Sequence, residues 1–496
     1  MNAAEFFSLL RDPSRAGRLA VHTAKESWDY DALIHRVQTR ADLLATHRAH
    51  VTASLMDNGA DWIVHDLACL LAGVVHVPLP LFYTPEQWRQ TLDAAGVNTV
   101  VASSSTQAML HAFGFDVAES LPDSLALFRR AAPSAPSAPL PQGTAKITFT
   151  SGSTGSPKGV CLGAREMLAV AASLAAATRP LGILRHLTAL PLPVLLENIA
   201  GVYSPLIEGA AITVRALSET GLQGSSRFDP AIFHAALVDA KAQSVIVLPQ
   251  MLRAYTGWLR ATGASAPSDL RLMAVGGAAV RADLLAAARA HGLPAYEGYG
   301  LSEACSVQTL NLPGADGPGS AGRPLPHARL RVTADGEIEV AGTHALGYLG
   351  QQAAPRQWLP TGDLGRLDEA GFLHIDGRKK NLLITGYGRN VSPEWIELRL
   401  TNQPAIAQAV VLGEGQPQLG AVIWPLGNAS DEAICASIDS ANAALPDYAR
   451  IGPWMRARAE FGAASGMATA NGRPRRAAVA DRHTDLFSRK SAQPLV

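Results

Sequence analysis

Thr148-Phe149-Thr150-Ser151-Gly152-Ser153-Thr154-Gly155-Ser156-Pro157-Lys158-Gly159 is the stretch on which the reading of this chain turns. It follows residues 146–150, an apolar run that reads as a strand, and leads into Val160-Cys161-Leu162, which reads as a second strand. Its glycines let backbone N–H groups come close to an anion, its hydroxyls add donors, and Lys158 adds a positive charge. The spacing departs from the common P-loop G-x-x-x-x-G-K-[ST], and a strand rather than a helix follows the lysine. Taken alone, the stretch supports an anion site in a strand–loop–strand turn, with a plain surface loop as the alternative.

Outward from the loop, residues 131–143 (AAPSAPSAPLPQG) form an Ala/Pro/Ser-rich connector that supplies no core and few donors. Upstream, residues 62–72 carry apolar side chains at helical spacing and residues 74–77 form a β-branched run stopped by Pro78 and Pro80. Residues 92–95 and 97–101 repeat that helix-then-strand theme. Downstream, residues 233–240 and 281–291 read as helices, and residues 244–248 and 270–275 as strands. Such alternation predicts an α/β protein with parallel sheets. From residue 329 the pattern shifts to short strands at residues 329–332, 337–340 and 372–375, with turns at Asp335-Gly336 and Ala370-Gly371. After Asn381 an α+β pattern begins: strand 382–385, helix 394–400, strand 409–412. A domain boundary is expected near Lys380, giving domains 1–380 and 381–496.

Composition fits this picture. The chain has 496 residues, 48% hydrophobic and 17% charged, too long for one ordinary core and too apolar for global disorder. Lys+Arg and Asp+Glu each number 42, so net charge offers no reason to expect nucleic acid as a partner. The four cysteines (Cys69, Cys161, Cys305, Cys435) show no metal-ligand spacing and read as buried or semi-buried thiols of a reducing compartment. The first fifteen residues read as an amphipathic helix rather than a signal peptide, and the longest apolar run, residues 67–81, is broken by Gly73, His76, Pro78 and Pro80. No membrane span and a cytoplasmic protein are the expectations.

Three further clusters carry chemistry. In Tyr296-Glu297-Gly298-Tyr299-Gly300-Leu301-Ser302-Glu303 an aromatic can stack on a base, a hydroxyl can meet a phosphate and a carboxylate can hold Mg²⁺. Pro360-Thr361-Gly362-Asp363 presents one carboxylate whose two oxygens suit a ribose diol. Asp376-Gly377-Arg378-Lys379-Lys380-Asn381 is a basic turn. Singly, each also reads as an ordinary loop.

In this order, the four stretches resemble the acyl-adenylate-forming (AMP-binding) superfamily of acyl-CoA synthetases, aryl-CoA ligases and fatty-acyl-AMP ligases. The resemblance runs from about Trp62 to about Arg476. It implies a large N-terminal domain of two α/β subdomains plus a β subdomain, and a small mobile α+β C-terminal lid. It also implies an ATP phosphate site at Thr150, Ser151, Gly152, Ser153, Thr154, Gly155 and Lys158. Gly276, Gly277 and Ala278 would form one wall for adenine, Tyr299 and Gly300 the other. Ser302 would meet the α-phosphate, Glu303 the Mg²⁺, and Asp363 with Arg378 the ribose. Lys380 would be the hinge, and residues 386–390 would swing in to shape a thiol tunnel. Val194, Leu248, Met251, Val275 and Leu301 would line the acid pocket. The activity implied is formation of an acyl-AMP with release of pyrophosphate, then transfer to CoA or to the phosphopantetheine of a carrier protein.

Two departures stand out. Arg473, in Gly472-Arg473-Pro474-Arg475-Arg476, stands where the family's lid lysine is expected, with Arg475 and Arg476 as neighbouring alternatives. Arginine keeps the charge on a planar, longer fork. Leu190-Pro191-Leu192-Pro193-Val194-Leu195-Leu196-Glu197-Asn198 puts Pro193 and Val194 where relatives often carry an aromatic-His gate. An apolar gate points to an apolar acid, fatty acids first and aryl acids second. No acid stands where amino-acid-activating relatives keep an Asp, which disfavours amino acids, whose ammonium would be buried unpaired. A binding protein that has lost adenylation, and a thiol-independent user of the adenylate such as a β-lactone synthetase, are the rival expectations.

Overall fold

The two strands flanking the glycine-rich loop form as Thr144–Thr150 and Lys158–Gly163, paired antiparallel with Thr150 opposite Lys158 and Thr148 opposite Val160. The computed structural model describes residues 1–130, 139–150, 158–223, 227–278, 280–352, 356–385, 390–462, 465–468 and 473–487. Ser151, Gly152, Ser153, Thr154 and Gly155, and residues 386–389, lie outside them. The chain divides into two units: Met1–Val280 with Leu284–Leu330 and Val340–Leu359, and Arg281–Asp283 with Arg331–Glu339 and Pro360–Val496.

The first unit is built on two nine-stranded sheets. One has the parallel strands Thr99–Ser103, Val51–Leu55, Val75–Pro78 and Thr144–Thr150 at its centre; Lys158–Gly163 and then Gly347–Tyr348 continue it antiparallel. The other runs parallel through Ala295–Leu301, Leu272–Val275, Ser244–Val247, Arg185–Leu187, Ala211–Thr213 and Leu19–His22. The expected helix–strand alternation is therefore present, with boundaries moved by local chemistry. The helix expected from residue 62 spans Ala60–Ala72 and ends on Gly73, whose φ of +66° suits the left-handed cap. The helix expected at residues 92–95 spans Pro85–Ala94, because Thr84 and Gln87 form a capping box two turns earlier. One core cluster draws Val21 and Ile212 of one sheet and Val160 and Leu162 of the other together with Phe7, Leu67 and Leu168 of intervening helices.

Buried polar groups tie the same sheets together through a π-helix, Glu197–Tyr203. Asp66 is the hub: Lys146 Nζ lies 2.7 Å from its Oδ1, His76 Nδ1 2.6 Å from the same oxygen, and Asn198 Nδ2 and Tyr203 Oη donate to Oδ2 at 2.8 Å each. His76 Nε2 meets Ser54 Oγ at 2.8 Å, and Lys146 also donates to Asn198 and to Tyr203. Burial pushes the Asp66 carboxyl up, but Lys146 and His76 outweigh it and hold it below the usual carboxylate range. Glu197, one residue from Asn198, faces the other sheet: its Oε1 lies 3.3 Å from His186 Nε2, and His186 Nδ1 meets Ser244 Oγ at 2.8 Å. Burying these charges would cost several kcal/mol each without such partners.

The second unit holds the antiparallel pair Leu359–Leu367 and Leu373–Arg378 and a three-stranded sheet of Ile406–Leu412, Leu419–Pro425 and Ile451–Arg456. Ile396, Ile434 and Ile438 of helices Pro393–Thr401 and Asp431–Ala443 pack with Val411 and Ile423, while Val479 of Arg476–Arg482 packs with Val410 and Val422. Cysteine placement corrects one expectation. Cys69, Cys161 and Cys305 are buried, but Cys435 is exposed on the helix Asp431–Ala443, whose apolar stripe falls on Ile434 and Ile438 instead. Among the described residues, no helix is long and apolar enough to cross a membrane.

Candidate active site

Strand pairing at the end of the glycine-rich loop brings chain-distant residues together. Gly347–Tyr348 pairs with Lys158–Gly163, Tyr348 opposite Val160, and Leu349 N donates to Gly159 O at 2.8 Å. Gly159 has no room for a side chain: a Cβ there would lie 2.9 Å from Ile147 Cγ2 and 3.2 Å from Leu349 Cβ. Lys158 is exposed, and its Nζ stands 5.7 Å from the centroid of the Tyr348 ring. The Tyr348 hydroxyl donates to Glu303 Oε1 at 2.9 Å. Burial, followed by the neighbouring Glu303 charge, pushes the Tyr348 phenol up to about 12, so it stays a donor.

Ser302 and Glu303 sit on a single 3₁₀ turn, Ser302–Ala304, at the end of the strand Ala295–Leu301. Both are half-buried. The turn closes on Cys305 and Ser306 with φ of +63° and +104°, unusual for non-glycine residues and the kind of strain that concentrates at functional sites. Burial pushes the Cys305 thiol far up, so it serves packing and not nucleophilic chemistry. Glu303 Oε1 is held by Tyr348, while no hydrogen bond to Oε2 occurs among the described residues. One half-buried carboxylate with an open oxygen fits Mg²⁺, which takes one or two carboxylates and shares the rest of its shell with substrate phosphates and water.

The proposed adenine wall lies at the end of Leu272–Val275. Gly276 is buried, whereas Gly277 and Ala278 are exposed. Gly277 has φ of +82°, and a Cβ there would lie 3.0 Å from Leu248 Cδ2. A Cβ on Gly276 would lie 3.4 Å from Leu196 Cδ2. Leu248 and Leu196 thus flank the wall, and Leu196 was not singled out from sequence. Tyr299 is half-buried and Gly300 exposed. Of the other apolar residues, Leu301 and Val194 are half-buried, while Met251 and Val275 are each 1% exposed within a core cluster. The Pro193-Val194 turn is pinned from two sides: Asn58 donates to Leu190 O and accepts from Leu192 N, each at 2.8 Å, and Glu197 Oε2 accepts from Leu190 N at 3.3 Å. Burial pushes the Glu197 carboxyl up, against His186.

Glu297 is a buried acid that sequence reading left without a role. Val280 N donates to its carboxylate at 3.3 Å, and burial pushes its pKa up to about 8.

In the second unit, Asp363 and Arg378 are cross-strand partners, with Arg378 Nε 2.5 Å from Asp363 Oδ1. Asp363 is 4% exposed, and its N–H donates to Thr361 Oγ1 at 3.0 Å. The basic turn of the sequence is therefore two structures: Arg378 ends a strand, and Lys380 is exposed on the 3₁₀ turn Lys379–Asn381. Arg473 is exposed. Arg476 Nη1 lies 2.8 Å from Glu397 Oε1.

Comparison with known proteins identifies the family. A profile of AMP-binding enzymes matches residues 12–349, and one of the AMP-binding enzyme C-terminal domain matches residues 380–489. A 2-succinylbenzoate–CoA ligase of Bacillus cereus is 35% identical over 299 residues, 56% of this chain and 58% of the relative. The long-chain-fatty-acid–CoA ligase FadD15 of Mycobacterium bovis is 40% identical over 161 residues, 31% of this chain and 27% of the relative. The chain thus matches less than two thirds of the length of either; a 2-succinylbenzoate–CoA ligase of Bacillus cytotoxicus, 29% identical, is matched over 82% of this chain and 84% of its own length. Among solved structures, ATP-bound MatB from Rhodopseudomonas palustris superposes with a TM-score of 0.81 at 22% identity, covering 98% of this chain and 100% of that one. O-succinylbenzoate coenzyme A synthetase (MenE) from Bacillus subtilis, in complex with AMP, gives 0.76 at 22% identity, covering 95% and 97%. These two show a shared fold. With a profile match spanning residues 12–349, the chain belongs to the AMP-binding enzyme family.

Proposed function

We propose that this chain is an acid–thiol ligase that uses ATP and Mg²⁺ to convert an apolar carboxylic acid to its acyl-adenylate. The observation that carries the reading is the convergence of Lys158, Tyr348 and Glu303 at the exit of the glycine-rich loop. There a cation and an acid with an open oxygen stand together, as a nucleotide triphosphate requires. A carboxylate oxygen of the substrate attacks the α-phosphorus, the bond to the bridging oxygen breaks, and pyrophosphate leaves. A thiolate then attacks the acyl carbon and AMP leaves, the thiol proton passing to solvent.

The residues present do this mainly by positioning and charge neutralisation. Lys158, with the loop from Thr150 through Ser151, Gly152, Ser153, Thr154 and Gly155, takes the phosphates. Ser302 meets the α-phosphate, Gly276, Gly277, Ala278, Tyr299 and Gly300 enclose the adenine, and Asp363 with Arg378 holds the ribose. Glu303 holds Mg²⁺, which would offset phosphate charge. The C-terminal domain turns about Lys380 between the half-reactions. Arg473 supplies the adenylation cation, with Arg475 and Arg476 as the neighbouring alternatives.

Val194, Leu196, Leu248 and Leu301 favour an apolar acid. Relatives named for a fatty acid and for an aryl acid keep both classes in the test. CoA is the acceptor that the relatives' names favour, and a carrier-protein phosphopantetheine is the alternative. The experiment is release of pyrophosphate and AMP with a panel of fatty and aryl acids, with CoA, with a holo carrier protein, and with neither. CoA-dependent AMP release supports the ligase. AMP release without thiol from a β-hydroxy acid would move the reading to lactone closure. ATP binding with no acid-dependent pyrophosphate release would make the chain a binding protein.

A further inference from the structure

One segment of the first unit links two groups that the proposed chemistry uses separately. Residues 343–349 are tied on one side to the turn that carries Glu303: Thr343 Oγ1 donates to Ala304 O at 3.0 Å and Ala345 N to Glu303 O at 2.8 Å. On the other side they are zipped to the strand leaving the glycine-rich loop, with Leu346 N donating to Cys161 O and Leu349 N to Gly159 O, each at 2.8 Å. Tyr348 is the side chain that uses both attachments. Its hydroxyl donates to Glu303 Oε1 at 2.9 Å, and its ring lies under Lys158 Nζ at 5.7 Å. Glu303 and Tyr348 are 45 residues apart, so the contact is a product of the fold alone.

We propose that Tyr348 is a positioning residue: its hydroxyl orients the Glu303 carboxylate toward Mg–ATP, and its ring keeps that carboxylate in register with Lys158 at the phosphate loop. A carboxylate with one oxygen held by a neutral donor turns its other oxygen in a fixed direction. Partners of this kind behind a metal-binding carboxylate typically change metal affinity about 10–100-fold when lost. The ring face offers the Lys158 ammonium a weak, non-neutralising contact, and no ion pair joins Lys158 to Glu303 among the described residues. Lys158 thereby keeps its charge for the phosphates instead of forming a closed ion pair with Glu303. The proposal rests on the reading of Glu303 as the Mg²⁺ carboxylate.

The test is calorimetric binding of ATP to the full chain with Mg²⁺ and in EDTA, with the Mg²⁺ dependence of acid-dependent pyrophosphate release alongside. Tyr348→Phe keeps the ring and loses the hydroxyl. It is expected to raise the Mg²⁺ needed for half-maximal rate about 10-fold, with ATP binding in EDTA and KM for the acid unchanged. Tyr348→Leu loses the ring as well and is expected to weaken ATP binding in EDTA too. Melting temperature reports whether either variant is merely unfolded. An unchanged Mg²⁺ dependence in Tyr348→Phe, with Glu303→Gln shifted strongly, overturns the proposal and leaves the reading of Glu303 standing. An unchanged dependence in Glu303→Gln overturns both. A loss of ATP binding in EDTA in Tyr348→Phe equal to that in Tyr348→Leu also overturns it, because the hydroxyl would then serve the loop and not the metal.

Discussion

The first unit contains the trio lysine, tyrosine and carboxylate twice, on either side of one loop. Lys146 lies on the strand entering the glycine-rich loop, with Tyr203 and Asp66; Lys158 begins the strand leaving it, with Tyr348 and Glu303. In the first trio every partner is within reach: the lysine touches the carboxylate, both carboxylate oxygens are occupied, and Asp66 and Tyr203 are fully buried. In the second, Lys158 is exposed, Glu303 is half-buried and the tyrosine contacts each of them. The same side-chain chemistry makes a structural staple when its charges satisfy one another, and the second trio, whose lysine and carboxylate form no ion pair among the described residues, is the one proposed to take a ligand.

The largest effect should come from breaking the closed trio. Lys146→Met leaves Asp66 charged and buried without its cation, and should lower unfolding free energy by about 3–5 kcal/mol in urea titration. Adding Asp66→Asn should restore part of the loss, so the pair should be strongly non-additive. The open trio should respond in the opposite sense. Lys158→Ala should cut acid-dependent pyrophosphate release by about 100-fold or more, while urea stability moves by about 0.5 kcal/mol or less. Loss of stability in Lys158→Ala comparable with that in Lys146→Met would erase the distinction.

Gly159 sits between the two trios, against Ile147 on one side and Leu349 on the other. Gly159→Ala overpacks both and should cost about 1–3 kcal/mol, with a rise in KM for ATP. A pH-dependent effect concerns Glu297, which burial holds protonated up to about pH 8 against an ordinary value of 4.5. The folded state keeps this proton where the unfolded chain has lost it, so stability falls as pH rises from about 4.5 to about 8, by up to ~1.4 kcal/mol per unit. Glu297→Gln should flatten that slope in melting curves taken across the window.

What could be read from sequence follows the same division. The two strands flanking the glycine-rich stretch were legible because Gly, Ser and Thr crowd into ten residues between two apolar runs. Glu303, Asp363 and Arg378 stand in short local patterns that single them out as candidates. Tyr348 was not, since nothing in Leu346-Gly347-Tyr348-Leu349 announces a partner 45 residues away. The Asp66 hub was hidden for a related reason: its partners His76, Lys146, Asn198 and Tyr203 come from two strands and a π-helix, and no spacing encodes their meeting. Residues 190–198 read as core, which Leu190, Leu192 and Leu195 are; that Glu197 and Asn198 join separate buried networks needed the fold.

The central claim is that the open side of the loop activates a carboxylic acid with ATP. Exchange of labelled pyrophosphate into ATP, with Mg²⁺ present and thiol omitted, tests it most directly. Exchange should depend on an apolar acid and be lost in Lys158→Ala but retained in folded Tyr348→Phe at raised Mg²⁺. Absence of exchange with every fatty and aryl acid, from a chain that still binds ATP, would contradict it.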